Sequence, residues 1–183
     1  MVTITLIDKI KLVLTNPDKF FVSVKKEEGY GEVIKYTAVL SIVGSLLGMS
    51  ISSLIASFDI VAIILTSLIV PVFFIIIQFI AAAITHILVI LAGGKNGYSQ
   101  TLKAGMYATT PVYLVGFLPL VSIIAALYSI YLNIKGLSVL QNISMGRAAA
   151  VILVPLLLAM VAVLALVGTV IFAILAAGAQ AVA

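Results

Sequence analysis

Five long apolar runs separated by short polar segments organise this chain. Read as helices they cover 34–56, 60–92, 99–117, 119–140 and 148–177, each near or above the about 20 residues that a membrane crossing needs. The second is overlong. At 1.5 Å per residue it measures about 50 Å against a hydrocarbon core of about 30 Å. It therefore reads as one tilted or kinked helix, with Pro71 inside, that projects beyond the membrane at one end. Ahead of these runs, residues 4–14 have helical spacing, with Leu6, Ile7, Ile10, Val13 and Leu14 on one face and Thr5, Asp8 and Lys9 opposite. Asn16 and Pro17 read as the N-cap and first position of a second short helix, 17–27, carrying Phe20, Phe21 and Val24. Both pieces are too short to span and are predicted to lie in the membrane interface. Gly29-Tyr30-Gly31 breaks the chain before the first span. Ser57-Phe58-Asp59 reads as a tight turn with Asp59 capping the second span, and Gly93-Gly94 as its left-handed C-terminal stop. The predicted fold is all-α: an interfacial segment, 1–31, then a five-helix membrane domain, 32–183.

Charge decides the one ambiguous stretch. Between Lys103 and Lys135 the pattern allows one overlong helix or two shorter ones, and Pro111, Gly116 and Pro119 favour a turn near 116–119. A single helix would put Lys135 and Arg147 on the opposite side from the other basic residues. Two helices place all ten Lys and Arg residues on one side, with none in the alternate segments. Cytoplasmic loops carry the Lys/Arg excess, so the N-terminus is expected inside and the C-terminus outside.

Composition narrows the functional classes. The chain is 64% hydrophobic and 9% charged, against roughly 25% charged residues in an ordinary soluble domain. Its net charge of +4 points to anionic headgroups more readily than to nucleic acid, because no basic stripe is interleaved with aromatics. Cysteine is absent, which excludes disulfides and thiolate sites. Asp8, Lys9 and Lys11 interrupt any apolar core of a cleaved signal, so the first span is expected to direct insertion.

Candidate chemistry is sparse. Gly48-Met49-Ser50 resembles the Gly-x-Ser piece of rhomboid-type proteases, and His86 is the only histidine. Their depths differ by about 15 Å at 1.5 Å per residue, far beyond the about 3 Å that a serine and its base require. One histidine without a His-Glu-x-x-His motif builds no typical metal site, and Gly93-Gly94-Lys95-Asn96-Gly97 lacks phosphate-loop spacing. No cofactor is implied. Gly44 and Gly48 form a GxxxG step that Ser52 extends, a surface for close helix packing. His86, Tyr107 and Asn133 fall within one turn of a common depth, about 5.4 Å. They are predicted to form a polar cluster near the cytoplasmic face with Lys103 and Lys135 at its mouth. The plainer alternative is that His86 and Asn133 lock helix packing through backbone carbonyls.

From Ala82 onward the chain resembles the Yip1 domain family, particularly its prokaryotic branch. The matching positions are Thr85-His86, Gly93-Gly94, Tyr98, Thr101-Leu102, Tyr107-Ala108, Pro111, Leu118-Pro119, Gly136-Leu137, Ser144 and Arg147-Ala148. Asn16-Pro17 with Phe20-Phe21 is similar to that family's short entry helices. The resemblance implies five transmembrane helices with a cytosolic N-terminus. It also implies relatives that act in vesicle trafficking, contact Rab GTPases and associate with one another, alongside prokaryotic members without an assigned role. Tyr128 stands where Trp is expected and Gln141 where His is frequent, and the short segment before the first span is not expected to act as the long cytosolic extension of the trafficking members. Together these features predict a non-enzymatic cell-membrane protein that organises membrane or membrane-protein assemblies. Its expected partners are the lipid bilayer, itself or other membrane proteins, and not nucleic acid. The alternative is a small-solute or lipid transporter using the polar cluster.

Overall fold

A computed structural model describes residues 5–56 and 59–182, with the side chains of 55–56 and 172–182 left undescribed. Eight helices make up those residues: α1 (Leu6–Thr15), α2 (Pro17–Val24), α3 (Gly31–Ala56), α4 (Ile60–Leu91), α5 (Tyr98–Ala108), α6 (Thr110–Val115), α7 (Pro119–Gln141) and α8 (Met145–Val182). The expected apolar runs are all helical. Four stretches, Gly31–Leu54, Ile60–Leu91, Pro119–Gln141 and Met145–Ile171, are long and apolar enough to cross a membrane. The expected third span is instead the broken pair α5–α6.

The break has a local cause. Pro111 has no N–H for the carbonyl of Tyr107, and the Thr110 hydroxyl donates to that oxygen at 2.6 Å in its place. Thr109 N–H still reaches Gly105 O at 3.3 Å and Tyr113 N–H reaches Thr109 O at 3.2 Å, so the helical path continues through the interruption. Pro71 raises the same problem inside α4, where Ser67 O loses its donor. The Ser45 hydroxyl of α3 supplies one at 3.1 Å, stitching two long helices together at the proline.

Caps behave as elementary chemistry demands. The Asn16 side chain accepts from Lys19 N–H at 3.2 Å, with Pro17 at the first helical position. Asp59 accepts from Ala62 N–H at 2.8 Å; its neighbours Ser57 and Phe58 in the expected turn lie outside the described residues. Gly93 sits at φ 92°, and the N–H groups of Gly93 and Gly94 bond to Ile90 O and Val89 O, closing α4.

Polar and apolar positions are inverted relative to a water-soluble bundle. Ile77, Leu127, Leu158 and Leu164 are exposed, while Thr101, Lys103, Thr110 and Gln141 are buried. α5 is the central element, packed by α3, α4 and α7. α1 and α2 were expected to rest their apolar faces in the lipid interface. Those faces are largely turned to protein: Val13, Phe20, Phe21 and Val24 are at most 1% exposed, with Ile7 and Val22 left outside. The reason is the fit between α2 and α7, where the ring of Phe21 sits directly over Gly136. Contacts among residues 25, 92–97 and 139–147 bring the loops on that side to one end, here termed the basic end.

Candidate functional site

Two polar networks occupy the basic end. The first forms where α1 and α2 meet α5. Burial of Phe20, Phe21 and Val24 holds α2 across the bundle and carries Glu27 over Tyr107. The Glu27 carboxylate accepts from Lys9 Nζ at 2.6 Å and from the Tyr107 hydroxyl at 2.7 Å. Lys9 also lies 3.5 Å from Glu32 and 5.8 Å from the centre of the Tyr107 ring. Lys103 donates from below to the backbone carbonyls of Glu27 (2.7 Å) and Val24 (3.4 Å), neutralising the negative end of α2. Tyr107 packs edge-on against Phe20 and Tyr36, and the Tyr36 hydroxyl shares a 2.8 Å hydrogen bond with Thr110. Glu27 is thus held at its side chain by α1 and α5 and at its main chain by α5.

The second network joins α4, α5 and α7. His86 Nδ1 lies 2.8 Å from the Thr101 hydroxyl, which accepts from Gln141 Nε2 at 2.9 Å. Gln141, itself 1% exposed, also donates to Gly97 O at 2.8 Å and accepts from Asn96 N–H at 3.0 Å. Asn96 Nδ2 closes the set on Leu140 O at 2.6 Å. No acidic side chain, lysine or arginine takes part, and the set suits a lock between helices in a low-dielectric setting.

The five residues expected to share a cluster are therefore distributed. Tyr107 and Lys103 meet Glu27, His86 belongs to the second network, and Lys135 pairs with Asp18 at 2.9 Å on α2. Asn133, half-buried, makes no side-chain hydrogen bond among the described residues. Equal depth along parallel helices does not imply a shared face. Glu27, Lys9, Thr101 and Gln141 carry the contacts without having been singled out as site residues. Thr101 is one of the positions that match the family pattern, Gln141 departs from it, and Lys9 lies on the polar face of the first short helix.

The glycine step packs within the chain. A Cβ at Gly44 would overlap the Tyr113 carbonyl, and one at Gly48 would lie 3.1 Å from Phe117 Cβ, so α3 lies against α6 and the turn after it; Ser52 is exposed. A cavity of about 480 Å³ opens beside this contact, between α3, α4 and α6, with Gln78 and Thr109 hydrogen-bonded at 3.1 Å on its wall. The remaining singled-out positions are structural in their contacts. Gly94 lies against Val89, Gly136 under Phe21, Pro119 opens α7, and Arg147 reaches Ala92 O at 3.4 Å. Among the described residues no group of three His, Cys, Asp or Glu side chains is placed to hold a metal ion.

Comparison with known families gives one match: the Yip1 domain, over residues 11–178. Neither the curated proteins nor the solved structures give a match.

Proposed function

The chain belongs to the Yip1 domain family, and on that premise we propose that it is a non-enzymatic organiser of membrane-protein assemblies in a prokaryotic cell membrane. It is a multi-pass membrane protein in contact with the lipid bilayer; the finer reading is ours. α5 and α6, joined through Thr109, supply the fifth crossing, about 27 Å of helix at 1.5 Å per residue. The basic end faces the cytoplasm, with the N-terminus inside and the C-terminus outside.

The observation that carries the assembly role is the isolation of α8. It packs against α7 and α4, yet every residue from Leu156 to Ile171 is exposed. A crossing helix exposed over that length offers a continuous face to other helices, where packing rather than hydrophobicity drives association. Because the sequence has no cysteine, single cysteines from 156 to 171 can be scanned by oxidative cross-linking in native membranes. Cross-linking that recurs every three to four positions supports association through one face of α8. Uniformly absent cross-links, to itself and to other membrane proteins, would contradict it.

A second reading, small-solute or lipid transport, draws on the cavity of about 480 Å³ beside the broken α5–α6 helix, since interrupted helices in lipid often line transport sites. Reconstituted flux that is lost when Gln78 or Thr109 is replaced would favour it over the assembly role.

A further inference from the structure

A second concavity lies on the lipid-facing side of the basic end. It is a groove of about 760 Å³ between the end of α4 and the start of α8. Its walls are apolar, formed by Leu88, Leu91 and Ala92 on one side and Ala150, Val154 and Leu158 on the other. Arg147 stands at its mouth beside Gly93. The Arg147 guanidinium makes one long hydrogen bond, to Ala92 O at 3.4 Å, and has no carboxylate partner among the described residues. Nor can the neighbouring sequence supply one, since no Asp or Glu follows Asp59. Lys95, exposed in the loop after α4, is equally without an acid partner. A guanidinium offers five donors in a planar fork, so most of its hydrogen-bonding capacity faces outward.

We propose that this groove binds an anionic phospholipid, with the phosphate on Arg147 and one acyl chain laid between α4 and α8. Dimensions and charge both favour that occupant. From Arg147 to Leu158, α8 rises about 16 Å, close to half of a hydrocarbon core of about 30 Å, the depth of a single leaflet. The volume falls in the range of about 300–1,000 Å³ found for small-ligand sites. A zwitterionic lipid carries its own cation next to the phosphate, whereas a net-anionic headgroup matches Arg147, which has no carboxylate partner among the described residues; basic sites between helices at the inner face recognise lipids this way. The conformation of Gly93 supports the arrangement, because its φ of 92° excludes ordinary side chains and a Cβ there would come within 3.3 Å of Arg147 Nη1.

The inference rests on the basic end lying at the inner leaflet. Cysteine-accessibility mapping tests that orientation, whereas lipid retention tests the site alone. Full-length protein in detergent would be equilibrated with phosphatidylglycerol, phosphatidylcholine or inorganic phosphate, and retained molecules counted by native mass spectrometry. Wild type is expected to retain phosphatidylglycerol preferentially, and Arg147→Gln to lose roughly tenfold or more of that preference. Arg147→Lys should keep part of it, having the charge without the fork. Ala150→Trp, which fills the groove while leaving Arg147 in place, should reduce retention of phosphatidylglycerol as well. It keeps the test open if Arg147→Gln fails to fold. Undiminished preference in Arg147→Gln or undiminished phosphatidylglycerol retention in Ala150→Trp would overturn the proposal, as would inorganic phosphate binding as tightly as the lipid.

Discussion

Replacing Glu27 by Ala tests whether α1 and α2 are part of the bundle or merely rest near it. Lys9 and Glu27 retain only 10% and 18% of their side-chain exposure and lie 2.6 Å apart, so solvent screens the pair weakly. Removing the carboxylate strands two groups. The Lys9 ammonium keeps only long contacts of 3.5 Å, to Glu32, 57% exposed, and to the Tyr107 hydroxyl, and that buried hydroxyl loses its own acceptor. Breaking a buried pair by deleting one partner costs about 3–5 kcal/mol. Glu32 relieves part of this, so the expected loss is near the lower end, ~3 kcal/mol. The apolar replacement Lys9→Met, Glu27→Met, Tyr107→Phe removes all three groups together and should fall within about 1 kcal/mol of wild type. Reversible denaturation in mixed micelles, followed by circular dichroism, gives both numbers. A loss below about 0.5 kcal/mol for Glu27→Ala would class the pair with exposed surface ion pairs. A triple replacement as damaging as the sum of its parts would refute the coupled network.

Other expected outcomes follow from single contacts. Gly136→Ala puts a methyl 2.8 Å from the Phe21 ring and should destabilise by about 1–3 kcal/mol, with Phe21→Leu in the same chain restoring part of the loss in the same titration. Thr110→Val should cost about 1–3 kcal/mol because the Tyr107 carbonyl freed by Pro111 loses its donor, while Thr110→Ser stays near wild type. Gly44→Leu should separate α3 from α6 and lower the thermal midpoint in detergent, whereas Gly146→Ala, which meets open space, should leave it unchanged.

Helix positions were legible because lipid enforces them. An apolar run of spanning length has few alternatives, and Asn16-Pro17, Asp59 and the Gly116–Pro119 turn punctuate the chain through local chemistry alone. α5 shows where that logic stops. With 11 residues α5 is too short to cross on its own, and it holds Thr101, Lys103 and Tyr107 buried because its neighbours are protein rather than lipid and these three side chains each find a hydrogen-bond partner. The expected cluster was misassembled for a related reason. Counting residues gives depth along a helix, but His86, Tyr107 and Asn133 differ in the direction they face, which only packing determines. Glu27 and Glu28 are adjacent and identical in type, at the end of the expected helix 17–27. Glu27 is distinguished by its reach to Tyr107, a residue 80 positions away, and no local signal encodes that.

The central claim is that the two N-terminal helices form one folded unit with the membrane bundle. Hydrogen–deuterium exchange of the full chain in lipid nanodiscs tests it most directly, since amide protection reports the free energy of local opening. If α1 and α2 are docked through Phe20, Phe21 and Glu27, amides of Leu6–Thr15 and Pro17–Val24 should be protected on the timescale of the basic half of α7. Rapid exchange of both helices while α5 and α7 stay protected would contradict the account.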